Sequence, residues 1–274
     1  MKNVLITGCS SGLGRALAIE FARQGWQVWA TGRKKETLSD LVPLGIKAEE
    51  LDVTSEKQVC QLISQVAAEG GIDVLVNNAG YGAMGATVEM PETEVRMQFE
   101  TNVFAPLKLV QAVAPAMIER RSGTIINIGS ISGQVVTPFS GTYCASKAAF
   151  NSFSDALRIE LKPFGIDVMS VKPGAIRSRF AENAKQALAR ALPENSFYKP
   201  VEKALWKRAN ASQDRPTSAE HVARVIVSRV KAGKASGSLK LGNGSRSLPF
   251  LQWLLPESVF EWVLSRVFQL NHLK

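Results

Sequence analysis

The strongest constraint on this chain is a rhythm. Through residues 4–171, short β-like apolar runs alternate with helical stretches whose apolar residues recur every three or four positions. Segments 4–7, 27–31, 47–51, 73–76, 124–128 and 167–171 read as strands. Between them, 12–24 puts Leu13, Leu17 and Phe21 on one helical face, and 56–69 does the same with Val59, Leu62, Ile63 and Val66. Longer helical stretches cover 92–120 and 142–161. Strands joined through helices build right-handed βαβ units and a parallel sheet covered on both faces. The expected class is α/β, a doubly wound parallel sheet of Rossmann type. No linker or repeat interrupts the pattern, so residues 1–247 read as one domain.

After Pro173 the rhythm breaks. Residues 175–215 are polar, basic and partly helical, with no strand. A helix at 219–230 and a strand at 238–241 follow. An irregular segment just past a strand's C-terminal end sits where open α/β sheets bind ligands. It is either a substrate-covering segment or a plain surface excursion. Residues 248–274 form an amphipathic tail. Phe260, Val263, Leu264, Val267 and Phe268 share one helical face, and Trp253 and Trp262 add rings of the kind found at interfaces. Pro249, Pro256, Glu257, Glu261 and Arg266 interrupt the tail, so it does not read as a spanning helix. Three destinations stay open for it: packing on the domain or an apolar substrate pocket, a partner subunit, or a membrane surface.

The charge is divided as unevenly as the pattern. The chain carries a formal +9, from 33 Lys+Arg against 24 Asp+Glu. Residues 1–150 hold 13 and 14 of these, residues 151–274 hold 20 and 10. A basic second half suits an anionic membrane surface, an acidic ligand or simple solvation. No dense Lys/Arg tract with interleaved aromatics is present, so nucleic acid is not an expected partner. Lys185, Arg190, Lys199, Lys203, Lys207 and Arg208 lie on the covering segment, either to attract an acidic headgroup or to solvate a helix face. The only histidines, His221 and His272, leave little for a His-based metal site or a Ser-His-Asp triad, and no metal is expected. Cys9, Cys60 and Cys144 are too widely spaced for a disulfide framework. With no signal-like start, they point to a reducing, cytoplasmic setting.

The first strand runs into Thr7-Gly8-Cys9-Ser10-Ser11-Gly12-Leu13-Gly14. Glycines there let a phosphate approach the backbone, and the following helix aims its N-terminal N–H groups at it. The position, after a first strand and before a helix, implies a nucleotide cofactor. The second strand ends in Thr31-Gly32-Arg33-Lys34-Lys35. An acid at that place accepts from the ribose 2′-OH of NAD, whereas a cation suits the 2′-phosphate of NADP. The acid is missing and Arg33 offers a planar fork, so the expected cofactor is NADP(H).

Farther along, Tyr143 and Lys147 stand four residues apart on one helical face. An adjacent ammonium favours the phenolate and makes tyrosine a usable acid and base. Ser130, thirteen residues upstream, lies at the C-terminal edge of the 124–128 strand.

Taken together, Thr7-Gly-x-x-x-Gly-x-Gly14, Asp52-Val53, Asn77-Asn78-Ala79-Gly80, Asn102, Ser130, Tyr143-x-x-x-Lys147 and Pro173-Gly174 resemble the short-chain dehydrogenase/reductase family in order and spacing across roughly residues 2–180. The finer wording is similar to the branch of 17β-hydroxysteroid dehydrogenase-like enzymes, aldehyde reductases and acyl-dihydroxyacetone-phosphate reductases. It lies in 6–14, 78–82, Tyr143-Cys-Ala-Ser-Lys147 and 173–178. The resemblance implies that Tyr143 is the general acid or base. Ser130 polarises the substrate oxygen, Lys147 holds the nicotinamide ribose, and Asn102 binds a water that relays protons to Lys147. It implies cofactor contacts from Thr7, Gly8, Ser10, Ser11, Gly12, Leu13, Gly14, Arg33, Asp52, Val53, Asn78, Ala79, Gly80, Pro173, Gly174, Ile176 and Ser178. Asn77 and Asn78 have a simpler reading as residues that fix a strand-end turn. Three departures stand out: Ser178 where the family often has Thr, Gly32 where an acid or Thr is often found, and Ser11 where some NADP-dependent relatives carry a cation. The resemblance also implies a homodimer or homotetramer through the helices containing Asn102 and Tyr143.

The expected activity is carbonyl–alcohol interconversion on a hydrophobic aldehyde, ketosteroid or acyl-lipid. A 3-oxoacyl-carrier reductase and a non-catalytic NADP-binding sensor or scaffold are the alternatives.

Overall fold

A computed structural model describes residues 1–273; the last residue of the expected tail, Lys274, lies outside them. Seven strands form one wholly parallel sheet: β1 (Asn3–Ile6), β2 (Gln27–Gly32), β3 (Lys47–Glu50), β4 (Val74–Asn77), β5 (Gly123–Ile128), β6 (Ile166–Pro173) and β7 (Gly237–Leu241). Their order is β3-β2-β1-β4-β5-β6-β7. The chain winds outward from β1 to β3, then restarts on the other side of β1. The switch point between β1 and β4 is where such sheets leave a crevice for a ligand.

Strand side chains alternate between two cores, as a sheet buried on both faces requires. Val4, Ile6, Val28, Val74, Val76, Ile126, Met169 and Val171 meet α1 (Gly12–Arg23) and α8 (Ala219–Lys231). Leu5, Trp29, Leu75, Ile125 and Val168 meet α2 (Glu56–Ala68) and α4 (Ala105–Glu119). Near-continuous apolar strands such as 4–6 and 74–76 are the sequence trace of this double burial.

The 92–120 stretch is helical but not uniform. It comprises α3 (Glu92–Phe99), a wide π turn (Glu100–Phe104) and α4. Pro106 has no N–H to give to the Asn102 carbonyl, the usual acceptor four residues back, so the helix loosens there. By length and composition Glu92–Glu119 is apolar enough to cross a membrane, but half of its most apolar window is buried inside the domain. Helix α5 (Gly141–Leu161) follows β5.

The segment past β6 holds α6 (Phe180–Ala191) and α7 (Glu202–Asn210), with two isolated bridges and no strand. These helices enclose a third apolar cluster with Met84, Ala86, Phe139 and Tyr143. Helices α6 and α7 thus pack on the side of the sheet where Phe139 and Tyr143 lie.

The tail folds into α9 (Ser247–Leu254) and α10 (Glu257–Val267). Its far end joins the domain: Phe268, Leu270 and Leu273 pack on the third cluster, with Phe268 edge-on to Phe139 at 6.1 Å between ring centroids. No residue of α9 or α10 is buried.

Candidate active site

The glycine turn is held from below by side chains of the chain itself. Thr7 Oγ1 accepts from the N–H groups of Asn78 and Ala79, both at 3.0 Å. Asn78 Nδ2 donates to the carbonyls of Thr7 (2.8 Å) and Gly8 (3.0 Å). The turn thus hangs on the end of β4, and the strand-end reading of Asn78 holds. Asn77 points into the core, donating to Asn127 Oδ1 at 2.9 Å. Gly8 and Gly12 have φ of +75° and +59°, a conformation that side chains resist. A Cβ on Gly8 would sit 2.9 Å from Ala79 Cα, and one on Gly12 2.6 Å from Ser178 Cβ. Gly14 packs against the Gly8 carbonyl and the Asn78 amide. Helix α1 begins at Gly12 with no side chain capping it, so its first N–H groups have no side-chain acceptor. Bare glycine backbone leading to an uncapped helix start suits a dinucleotide pyrophosphate.

At the end of β2, Lys35 pairs with Glu49 at 3.3 Å. Arg33 and Lys34 are exposed and form no ion pair among the described residues. Of the three cations, Arg33 stands nearest the strand end with its charge uncommitted. Asp52 is partly committed: its Oδ1 accepts from Thr54 N (2.9 Å) and Oγ1 (2.7 Å), closing the turn before α2. Val53 is buried in the core. Ser178 abuts Gly12, and its Oγ accepts from the Phe180 N–H at 3.3 Å. Gly174 is pressed against the Asn243 carbonyl, and Ala175 N donates to that carbonyl at 2.9 Å. Pro173, Gly174 and Ile176 therefore fix the strand's exit against the 241–243 loop.

Sequence reasoning passed over Arg179. Its Nη2 donates to the Ser10 carbonyl at 3.2 Å, tying the covering segment to the glycine turn. A groove of about 360 Å³ runs alongside, lined partly by Ser11, Arg15, Arg177 and Arg179. The only sequence signal was the basic Arg177-Ser-Arg179 run just after the strand.

At the neighbouring strand end, Ser130 follows β5 and Tyr143 and Lys147 rise from α5. All three are buried. Ser130 Oγ accepts from Ser132 N at 3.0 Å, and the Ser130 carbonyl accepts from Asn151 Nδ2 at 3.1 Å. Lys147 Nζ donates to the Ile128 carbonyl at 2.9 Å. Burial pushes the Lys147 ammonium down to about 8. Burial pushes the Tyr143 phenol up to about 12, while the facing Ser130 hydroxyl and the Arg208 guanidinium pull it down. The four-residue spacing brings both groups into this site, and the influences that pull the phenol down against burial are Ser130 and Arg208. The ammonium is turned to the β5 carbonyl and is itself weakened by desolvation.

Asn102 uses its side chain locally. Nδ2 donates to the Tyr81 carbonyl (3.0 Å) and Ser146 Oγ (3.2 Å), and Oδ1 accepts from Tyr81 N at 3.2 Å. Gly80 fits between Asn102 and Lys147: a Cβ there would lie 2.9 Å from Asn102 Oδ1 and 3.7 Å from Lys147 Nζ. The Phe180 ring covers Tyr143 at 5.4 Å between centroids. Cys9 is buried beneath the turn and its thiol is pushed up to about 12, so it is inert at neutral pH. The site's chemistry is a hydroxyl pair at the end of β5, a buried ammonium beside it, and a glycine cradle at the end of β1, with β4 between.

Comparison with known proteins gives the same picture. Residues 2–189 match the short chain dehydrogenase family. The NADPH-dependent 1-acyldihydroxyacetone phosphate reductase of Schizosaccharomyces pombe is 35% identical over 213 residues, covering 76% of this chain and 72% of that protein. Among solved structures, a short-chain dehydrogenase from Streptomyces avermitilis superposes with a TM-score of 0.81 at 34% identity, covering 99% of this chain and 98% of the other. The closed form of a serine dehydrogenase complexed with NADP+ gives 0.76 at 26% identity, covering 89% and 96%.

Proposed function

The chain belongs to the short chain dehydrogenase family, and on that premise we propose that it is an NADP(H)-dependent reductase converting a carbonyl to an alcohol on a hydrophobic substrate. The observation that carries this reading is the placement of Ser130 and Tyr143, facing each other beside buried Lys147, at the sheet edge next to the β1–β4 switch point.

The residues present fit the cofactor. The glycine turn and the start of α1 take the pyrophosphate, Arg33 the 2′-phosphate, and Lys147 the nicotinamide ribose hydroxyls. Asn78, Ala79, Gly80 and Ser178 shape the cleft between them. When bound, NADPH supplies the hydride. The chain does the rest. Ser130 and Tyr143 hold the carbonyl oxygen, and Tyr143 hands its phenolic proton to that oxygen as the alcohol forms. A phenol held near 12 is protonated at neutral pH, so its resting form is the proton donor that reduction needs. The Asn102 carbonyl, freed of its usual donor by Pro106, is where a water that restores protons toward Lys147 would bind.

Two further features of the reading concern partners. Met97 and Phe104, on α3 and the π turn, and Phe153 and Ile159, on α5, are exposed, which supports a dimer or tetramer through those helices. Leu248, Phe250, Leu251, Trp253 and Leu254 of α9 and Val259, Trp262 and Val267 of α10 are exposed as well. Two tryptophans in an apolar face, on the basic half of the chain, suit a cytoplasmic enzyme resting on an anionic membrane surface.

The test of the function is Tyr143→Phe, assayed by NADPH oxidation over a panel of long-chain aldehydes, ketosteroids and acyl-ketones. The expected loss is about 10²- to 10⁴-fold in kcat, with NADPH binding retained by fluorescence titration. Turnover equal to that of the parent would overturn the reading.

A further inference from the structure

Six basic residues on the covering segment were candidates for meeting an acidic headgroup, and the fold separates them. Lys185, Lys203 and Lys207 are exposed. Arg190 is bound to Glu94 at 2.8 Å, and Lys199 to Glu202 at 2.7 Å. Arg208 alone turns inward. It lies on α7 between buried Leu205 and Ala209, whose side chains belong to the same cluster as Tyr143. Its Nε donates to Thr137 Oγ1 at 2.8 Å.

That anchor is itself fixed. Ser140 Oγ donates to the Thr137 carbonyl at 2.9 Å, so the contact between the two hydroxyls (3.0 Å) has Thr137 as donor. The Thr137 oxygen is thereby left to accept from Arg208. One N–H of the guanidinium is used for aim, and no carboxylate among the described residues lies within ion-pair distance of it. Burial lowers its pKa from the ordinary arginine range, and it is close enough to Tyr143 and Cys144 for their charges to act on it. Tyr143 is neutral at neutral pH, so it is not the counter-ion. Arg208 is part-buried, and a cation drawn partly out of water without an anionic partner gives up solvation that nothing replaces. Through Thr137 and Ser140 it reaches the start of α5, where Ser140 meets Cys144, the residue after Tyr143, and its paired Nη donors have no protein acceptor among the described residues.

We infer that Arg208 is the specificity residue for an anionic group on the substrate: its guanidinium fork receives a carboxylate or phosphate carried close to the carbonyl that Ser130 and Tyr143 hold. The substrate is then an acidic amphiphile, with its acyl chain in the apolar cluster and its charge on α7. This rests on the carbonyl-reduction reading of the same site.

The experiment uses matched pairs with NADPH: a long-chain 3-oxo acid and its methyl ester, and a long-chain acyl-dihydroxyacetone phosphate and its dephosphorylated form. The wild type should favour the charged member of one pair by about tenfold or more in kcat/KM, and the favoured pair tells carboxylate from phosphate. Arg208→Gln should collapse that preference mainly through KM, Arg208→Lys should restore part of it, and Thr137→Val should weaken it by disturbing the aim. Equal turnover of both members by the wild type, or a preference unmoved in Arg208→Gln, overturns the inference and leaves the reductase reading standing. Failure to reduce any member of either pair, with NADPH bound, removes both together.

Discussion

Trp29 and Trp253 share a side chain and little else. Trp29 is fully buried in β2, its ring beneath the Lys47 ammonium at 4.4 Å. Trp253 stands 79% exposed on α9, touching only Phe250 among aromatic neighbours. The same contrast separates the regions that hold them. Every apolar strand residue from β1 to β6 finds a partner in one of two cores, whereas α9 leaves all five of its large apolar side chains exposed. Contiguous apolar surface of this kind is uncommon on a chain that stands alone. The sheet's hydrophobicity serves folding, whereas most of α9's is left on the surface of the single chain. The tail's last residues mark the boundary, because Phe268, Leu270 and Leu273 do pack inward on the third cluster.

That contrast can be broken by experiment. The largest effect belongs to the sheet half. Arg33→Ala should raise KM for NADPH by about 10- to 100-fold, the worth of a charge-assisted phosphate contact, while barely moving NADH. Equal losses for both cofactors would assign Arg33 to the fold instead. The tail should respond differently at its two ends. Phe268→Ala should lower stability by about 1–3 kcal/mol, less than a fully buried phenylalanine would, measured by denaturant melts. A Trp253→Ser, Trp262→Ser double variant should leave the melt unchanged and weaken sedimentation with vesicles containing anionic lipid. A loss of stability in the double variant would mean that the exposed face is part of the core.

The smallest effect is a pH signature. Lys147 sits near 8 in the folded chain and near the ordinary lysine value of 10.5 when unfolded. The unfolded state therefore binds more protons between those values, and stability gains with rising pH across that window. Lys147→Met removes this contribution, so the stability difference between wild type and variant should shift in favour of the wild type from about pH 8 to 10. A difference that stays flat with pH would mean that the ammonium is not desolvated.

Much of the fold was legible because it is local. Strand positions followed from apolar runs, and their ends moved by only a residue or two. The glycine turn was legible because positive φ and close approach restrict residue choice. The π turn at Asn102 was missed although its cause, Pro106, is in the sequence; a long apolar period hides one loosened turn. The Tyr143–Lys147 spacing put both side chains on one face, but it could not show that burial raises the phenol and lowers the ammonium. Spacing reports which face a side chain is on, whereas burial and the direction of a flexible ammonium depend on β5, which is distant in sequence.

By itself the sequence determined the α/β class, the cradle, and which residues stand at the strand edges, since period, backbone freedom and spacing are properties of neighbours along the chain. Only the tertiary structure decided which of six similar cations turns inward, what Lys147 bonds, and which part of the tail finds the core. Those outcomes depend on which surfaces meet, and the energy of a charge or an apolar ring is set by what surrounds it.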